Sequence, residues 1–89
     1  SEKALGADHP DTAMGLNNLA SLYFYHAQYA IAEPLYRRAL AIWKKALGPD
    51  HPNVATSLEN LSDLYRETGR ESQAAELESR AAAIRGKQR

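Results

Sequence analysis

Apolar residues recur along this chain at three- and four-residue spacings, the rhythm of helices with one buried face, rather than in the two-residue alternation of strands. At about 100° per residue, Leu16, Leu19, Ala20 and Tyr23 share one face. Met14, Asn17, Asn18, Ser21 and Tyr25 share the opposite face, with Phe24 at its edge. Further on, Ala32, Leu35, Tyr36, Ala39, Leu40, Ile42 and Trp43 form a broad apolar stripe, in which small alanines let a neighbouring backbone approach closely. Glycine and proline punctuate the chain at Gly6 to Pro10, at Gly48 to Pro52 and at Gly69. The pattern predicts helices over about 10–26, 29–47, 52–68 and 71–86, with residues 1–5 the end of a preceding helix.

The punctuation has helix-end chemistry. Pro10 and Pro52 suit the first helical position, where a missing N–H removes no helical bond. The residue before a proline is pushed out of the helical region, so His9 and His51 should stand just before their helices. Asp8, Asp11 and Asp50 lie near positive helix ends, where a carboxylate is favoured. Gly6 and Gly48 suit left-handed caps.

The segment Lys3-Ala4-Leu5-Gly6-Ala7-Asp8-His9-Pro10 returns as Lys45-Ala46-Leu47-Gly48-Pro49-Asp50-His51-Pro52, a register of 42 residues that matches 20 of 47 aligned positions. A period of that size marks stacked repeats, each completing its core against its neighbours. The expected fold is all-α, a solenoid of stacked antiparallel helix pairs within a single domain spanning 1–89. Repeat one covers 10–47 and repeat two 52–86. Function is then expected on a surface rather than in a catalytic pocket.

Leu19-Ala20-x-x-Tyr23, a turn at Ala27, and Tyr29-x-x-Ala32-x-x-x-Tyr36-x-x-Ala39 resemble the tetratricopeptide repeat. The register, with the run from Ala32 to Leu40 and on through Gly48 to Pro52, resembles the longer kinesin-light-chain type. The resemblance implies a scaffold that binds peptides or partner proteins in a concave groove lined by the first helix of each pair. The chain departs from the pattern where Ala27 replaces the usual turn glycine, which Gly69 keeps. Pro34, inside the second helix, should bend it without breaking it. In repeat two the apolar stripe is interrupted: Tyr36 corresponds to Glu78, Leu40 to Ala82 and Trp43 to Arg85, while Leu77, Ala81 and Ile84 are kept. A helix polar on its outer edge is expected to cap a stack, so 71–86 reads as the C-terminal cap of a longer array.

Composition narrows the function classes. Eleven basic and eleven acidic side chains cancel, which argues against a nucleic-acid or anionic-membrane surface. No apolar run approaches the roughly 18 residues needed to span a bilayer. Without cysteine there is no disulfide, thiolate nucleophile or cysteine-bound metal, in keeping with a reducing, cytoplasmic setting. His9 with Asp8 and His51 with Asp50 supply too few ligands per unit to close a metal site. Ser21 has no glycine-rich elbow or oxyanion pattern to make it a nucleophile. No catalytic residue, cofactor or metal is expected.

The candidate peptide- or protein-binding residues are Met14, Asn17, Asn18, Ser21, Phe24 and Tyr25 on the first helix, and Thr56, Glu59, Asn60, Asp63, Arg66 and Glu67 on the third. Asn18 and Asn60 recur in register, and a carboxamide can both donate to and accept from an extended peptide backbone. In arrays of the resembling type this asparagine position often does so. Glu59, Asp63 and Glu67 against Arg66 form a net acidic patch that would favour a basic ligand. Phe24, Tyr25 and His26 add apolar contact area. Two alternatives accompany the scaffold reading: a structural element that self-associates through exposed repeat ends, as a homo-oligomer, and a regulatory array within a larger signalling protein.

Overall fold

The computed structural model describes residues 8–88, which form four helices: α1 (Pro10–Tyr25), α2 (Tyr29–Leu47), α3 (Pro52–Glu67) and α4 (Glu71–Lys87). They pack as two antiparallel pairs, α1 with α2 and α3 with α4, and α2 packs on α3 to join the pairs. The three-residue turns at 26–28 and 68–70 leave a helix no path except straight back along its predecessor. The expected preceding helix over 1–5 and the cap at Gly6 lie outside the described residues.

The helix starts follow from the His-Pro pairs. His9 accepts a hydrogen bond at Nδ1 from the backbone N–H of Asp11, and His51 one from that of Asn53, each at 3.0 Å. Each imidazole thus serves as an N-cap, satisfying a donor that the first turn leaves open. The loops around them are tied in register: Lys45 pairs with Asp8 at 2.8 Å, and 42 residues on Lys87 pairs with Asp50 at 3.1 Å. Helix α2 runs on through Pro34. Its ring costs one backbone bond, to the carbonyl of Ala30, a residue on the exposed side.

Two clusters make up the core. Ala39, Ile42 and Trp43 of α2 meet Ala13 of α1, Val54, Ala55 and Leu58 of α3, and Ala81 and Ile84 of α4. Nearer the short turns, Ala32 and Tyr36 meet Ala20, Leu61, Leu64, Tyr65 and Ala74. Leu40 and Leu77 border both clusters. The buried Trp43 also satisfies its indole N–H by donating to the Pro10 carbonyl at 3.2 Å.

Leu19, which the helical wheel placed on the apolar face of the first helix, departs from that expectation. Leu19 is 42% exposed and Leu22 60%, whereas their counterparts Leu61 and Leu64 are 1% and 0% exposed. Helix α3 is covered by α2 on one side and α4 on the other, whereas among the described residues α1 packs closely on α2 alone.

The turns differ as their residues dictate. Gly69 adopts φ 79° at no steric cost, but Ala27 holds φ 60°, a left-handed conformation that its Cβ disfavours. Both turns close in the same way, Gln28 and Arg70 donating backbone N–H bonds to the carbonyls of Tyr23 and Tyr65. Arg70 has a further role: its guanidinium reaches Glu33 at 2.6 Å and stacks over the Tyr65 ring at 4.0 Å. Glu33 also accepts from Tyr65 Oη at 3.2 Å and from Arg37 Nε at 3.1 Å. This cluster ties α2 to α3 and to the start of α4, and the Arg70 hydrogen bond, chiefly, holds the Glu33 carboxyl below the usual range.

Candidate functional site

Helices α1 and α3 present their polar faces on the same side, and one bond joins those faces directly. Asn60 donates from Nδ2 to Oδ1 of Asn17 at 3.1 Å. Asn17 is only 9% exposed, so this candidate turns inward and serves as the acceptor in an interhelical contact. Asn60 is half-buried beside it. The in-register twin of Asn60, Asn18, is exposed and its side chain makes no hydrogen bond among the described residues. The two recurring asparagines therefore have different surroundings.

The remaining candidates on α1 divide in the same way. Ser21 shares a 2.9 Å hydrogen bond with the Tyr36 hydroxyl and is half-buried. Phe24 packs edge-on against Tyr25 and Tyr29. Met14 is exposed, and Tyr25, at 81%, projects into solvent. His26 bonds back to the Leu22 carbonyl through Nδ1 and finishes the helix.

On α3 two of the four charges, Glu59 and Arg66, are already answered from α4. Arg85 makes a two-pronged contact with Glu59 at 2.9 and 3.1 Å and also donates to Thr56 Oγ1. Glu78 receives both prongs of Arg66 at 2.9 and 3.1 Å, with Glu71 3.6 Å from the same guanidinium. Thr56 donates to the Pro52 carbonyl. Asp63 makes no hydrogen bond or ion pair among the described residues. Its partial burial pushes its carboxyl up; Arg66 opposes this, while Glu78, Glu59 and Glu67 reinforce it. Glu67 is exposed and accepts one long bond, 3.5 Å, from the Tyr29 hydroxyl.

Helical periodicity along α3 did not reveal these pairings, because they depend on a second helix. A sequence signal did exist: Glu78 and Arg85 interrupt the apolar stripe at the two positions from which α4 reaches Arg66 and Glu59. The surface left open on α1 and α3 comprises Met14, Asn18, Tyr25, Asp63 and Glu67, around the closed Asn17–Asn60 pair. It offers amide, aromatic and carboxylate groups to a ligand and includes no nucleophile–base pair. Among the described residues no cluster of histidine and carboxylate side chains could hold a metal ion, and no helix is long and apolar enough to cross a membrane.

A tetratricopeptide repeat family model matches residues 1–45 and 16–87, nearly the whole chain. No curated protein matches it. Repeats of this family generally mediate protein–protein interactions and are typically non-catalytic scaffolds. Two antiparallel helix pairs in register, joined second helix to first, are that repeat's architecture, and the chain belongs to the tetratricopeptide repeat family.

Proposed function

We propose that the α1/α3 face binds an extended peptide or a peptide-like segment of a partner protein. The observation that carries this reading is that Asn18 and Asp63 are exposed and their side chains make no hydrogen bond or ion pair among the described residues, while the polar groups between them are tied into the fold. Asn18 has a donor and an acceptor to spend on a peptide backbone. Asp63, beside Glu67 and near an Arg66 whose guanidinium is already held by Glu78, favours a lysine or arginine on the ligand. Tyr25 supplies apolar area of the kind enriched in binding hot spots. The register of 42 residues supports placement with the kinesin-light-chain type.

A peptide-library selection on the wild type beside Asn18→Ala/Asp63→Asn tests the reading. Both side chains are exposed and unpaired among the described residues, so the variant should keep its helicity. Peptides enriched by the wild type and lost by the variant support binding at this face, and their consensus names the ligand class. Equal enrichment by both proteins would refute it.

The exposure of Leu19 and Leu22 favours a second reading, self-association through the outer face of α1. Their twins Leu61 and Leu64 lie beneath a helix, and a second copy would provide such cover. Light scattering over a concentration series decides this: a monomer at every concentration excludes it.

A further inference from the structure

On the other side of α3, helices α2 and α4 both lean on α3 without packing closely on one another, leaving a furrow between them. Two cavities open along it, of about 250 and 260 Å³. The first has Leu40, Leu61 and Leu77 at its base and Arg37 and Arg80 at its edge. The second has Val54, Leu58 and Ile84 at its base and Lys44, Arg80 and Lys87 at its edge. Each is smaller than the roughly 300 Å³ at which small-molecule sites begin, a size suited to a side chain rather than a cofactor.

The furrow is cationic. Arg37, Lys44, Arg80 and Lys87 line it against Asp50 and Glu76. Arg37 is answered by Glu33 and Lys87 by Asp50, but Lys44 and Arg80 make no hydrogen bond or ion pair among the described residues. Arg80 borders both cavities, so its guanidinium stands at the midpoint of the furrow. A stretch of apolar hollows beneath uncompensated cations complements a chain that alternates apolar anchors with carboxylates. It does not complement the ligand proposed for the α1/α3 face, which is opposite in charge.

We infer that the α2/α4 furrow is a second interaction surface, which takes an acidic amphipathic segment of a partner protein. Its apolar side chains sit in the two cavities, and its carboxylates lie over Arg80 and Lys44. A guanidinium can hold a carboxylate through two parallel bonds, so Arg80 fixes the register of the segment. The two faces then act independently, and one molecule can bridge a basic and an acidic partner.

The test uses a fluorescein-labelled peptide of about 15 residues, long enough to form a helix on binding, with leucines on one face and aspartate and glutamate on the other. A second peptide replaces every carboxylate with lysine. Anisotropy titrations are run on the wild type, Arg80→Glu, Lys44→Glu and Asn18→Ala/Asp63→Asn, with helicity checked for each. The acidic peptide should bind the wild type, lose affinity with added salt, and bind Arg80→Glu on the order of tenfold more weakly at low salt. Lys44→Glu should weaken binding in the same direction, and the Asn18/Asp63 variant should leave it unchanged. Failure of the wild type to bind, equal binding of the lysine peptide, or indifference to Arg80→Glu would each overturn the inference. So would Arg80-dependent binding of phosphatidylglycerol vesicles in place of the peptide, which would make the furrow a lipid surface.

Discussion

Asn60 donates its side-chain amide to the side-chain carbonyl of Asn17 at 3.1 Å, linking the first helices of the two repeats at their polar faces. Neither residue has the same neighbour in the other repeat: Asn17 corresponds to Glu59, which bonds Arg85, and Asn60 to Asn18, which bonds nothing among the described residues. Replacing Asn60 with alanine strands a mostly buried carbonyl oxygen and should lower unfolding stability by about 1–2 kcal/mol. Asn18→Ala removes an exposed, unpartnered side chain and should stay within about 0.5 kcal/mol of the wild type. Urea unfolding of both variants, followed by circular dichroism, checks the contrast.

The turns allow an exchange experiment. Ala27→Gly relieves a left-handed alanine and should stabilise the chain by about 0.5–1 kcal/mol, whereas Gly69→Ala introduces the same strain and should destabilise it by about 1 kcal/mol. Opposite shifts in Tm are the expected result. Shifts of the same sign would show that the gain or loss of unfolded-chain entropy outweighs the strain.

Stability against pH should carry the marks of Glu33 and Asp63, with opposite signs. Glu33 is held below its ordinary range, chiefly by Arg70, so the folded state binds its proton less tightly than the unfolded chain does. Its stabilisation is complete above the ordinary glutamate pKa and is lost as pH falls through the lowered native value. Asp63 is pushed up, chiefly by burial, so its ionised form opposes folding near neutral pH, and that opposition fades as pH falls through the raised value. Glu33→Gln should therefore flatten the acid limb of the stability profile. Asp63→Asn should stabilise the chain at pH 7, by about 0.5 kcal/mol for so exposed a site, and lose that advantage in acid. Urea midpoints from pH 3 to 8 measure both effects.

Ser57 lies fully buried, with a hydroxyl that has no hydrogen-bond partner among the described residues. Ser57→Ala removes that unsatisfied group at almost constant shape and should stabilise the chain by about 1 kcal/mol. A lower Tm for this variant would show that the hydroxyl does find a partner in solution.

Much of the architecture could be read locally. Helical spacing, the His-Pro starts and the two returning segments are short-range features, and the N-caps at His9 and His51 require only residues two apart. The candidate site was less legible. Thr56, Glu59 and Arg66 sit on the polar face of α3 as the helical wheel placed them, yet all three are engaged by side chains of α4. The cationic furrow was not legible at all, since it consists of the space between two helices whose separation no local pattern encodes.

The twin leucines set the division between sequence and tertiary structure most plainly. Leu22 and Leu64 occupy the same register position in helices of the same length, each three residues before its helix end. Sequence alone determined that both would be helical, because helix formation depends on neighbours within a turn or two. Tertiary structure alone decided that Leu64 is fully buried beside Tyr36 and Ala32 of α2 while Leu22 remains 60% exposed. Leu64→Ala should accordingly cost about 2–5 kcal/mol, and Leu22→Ala in the same chain well under 1 kcal/mol. Burial is a relation between elements: the hydrophobic free energy of a leucine is realised only where another surface removes it from water, and in a repeat that surface belongs to the next unit.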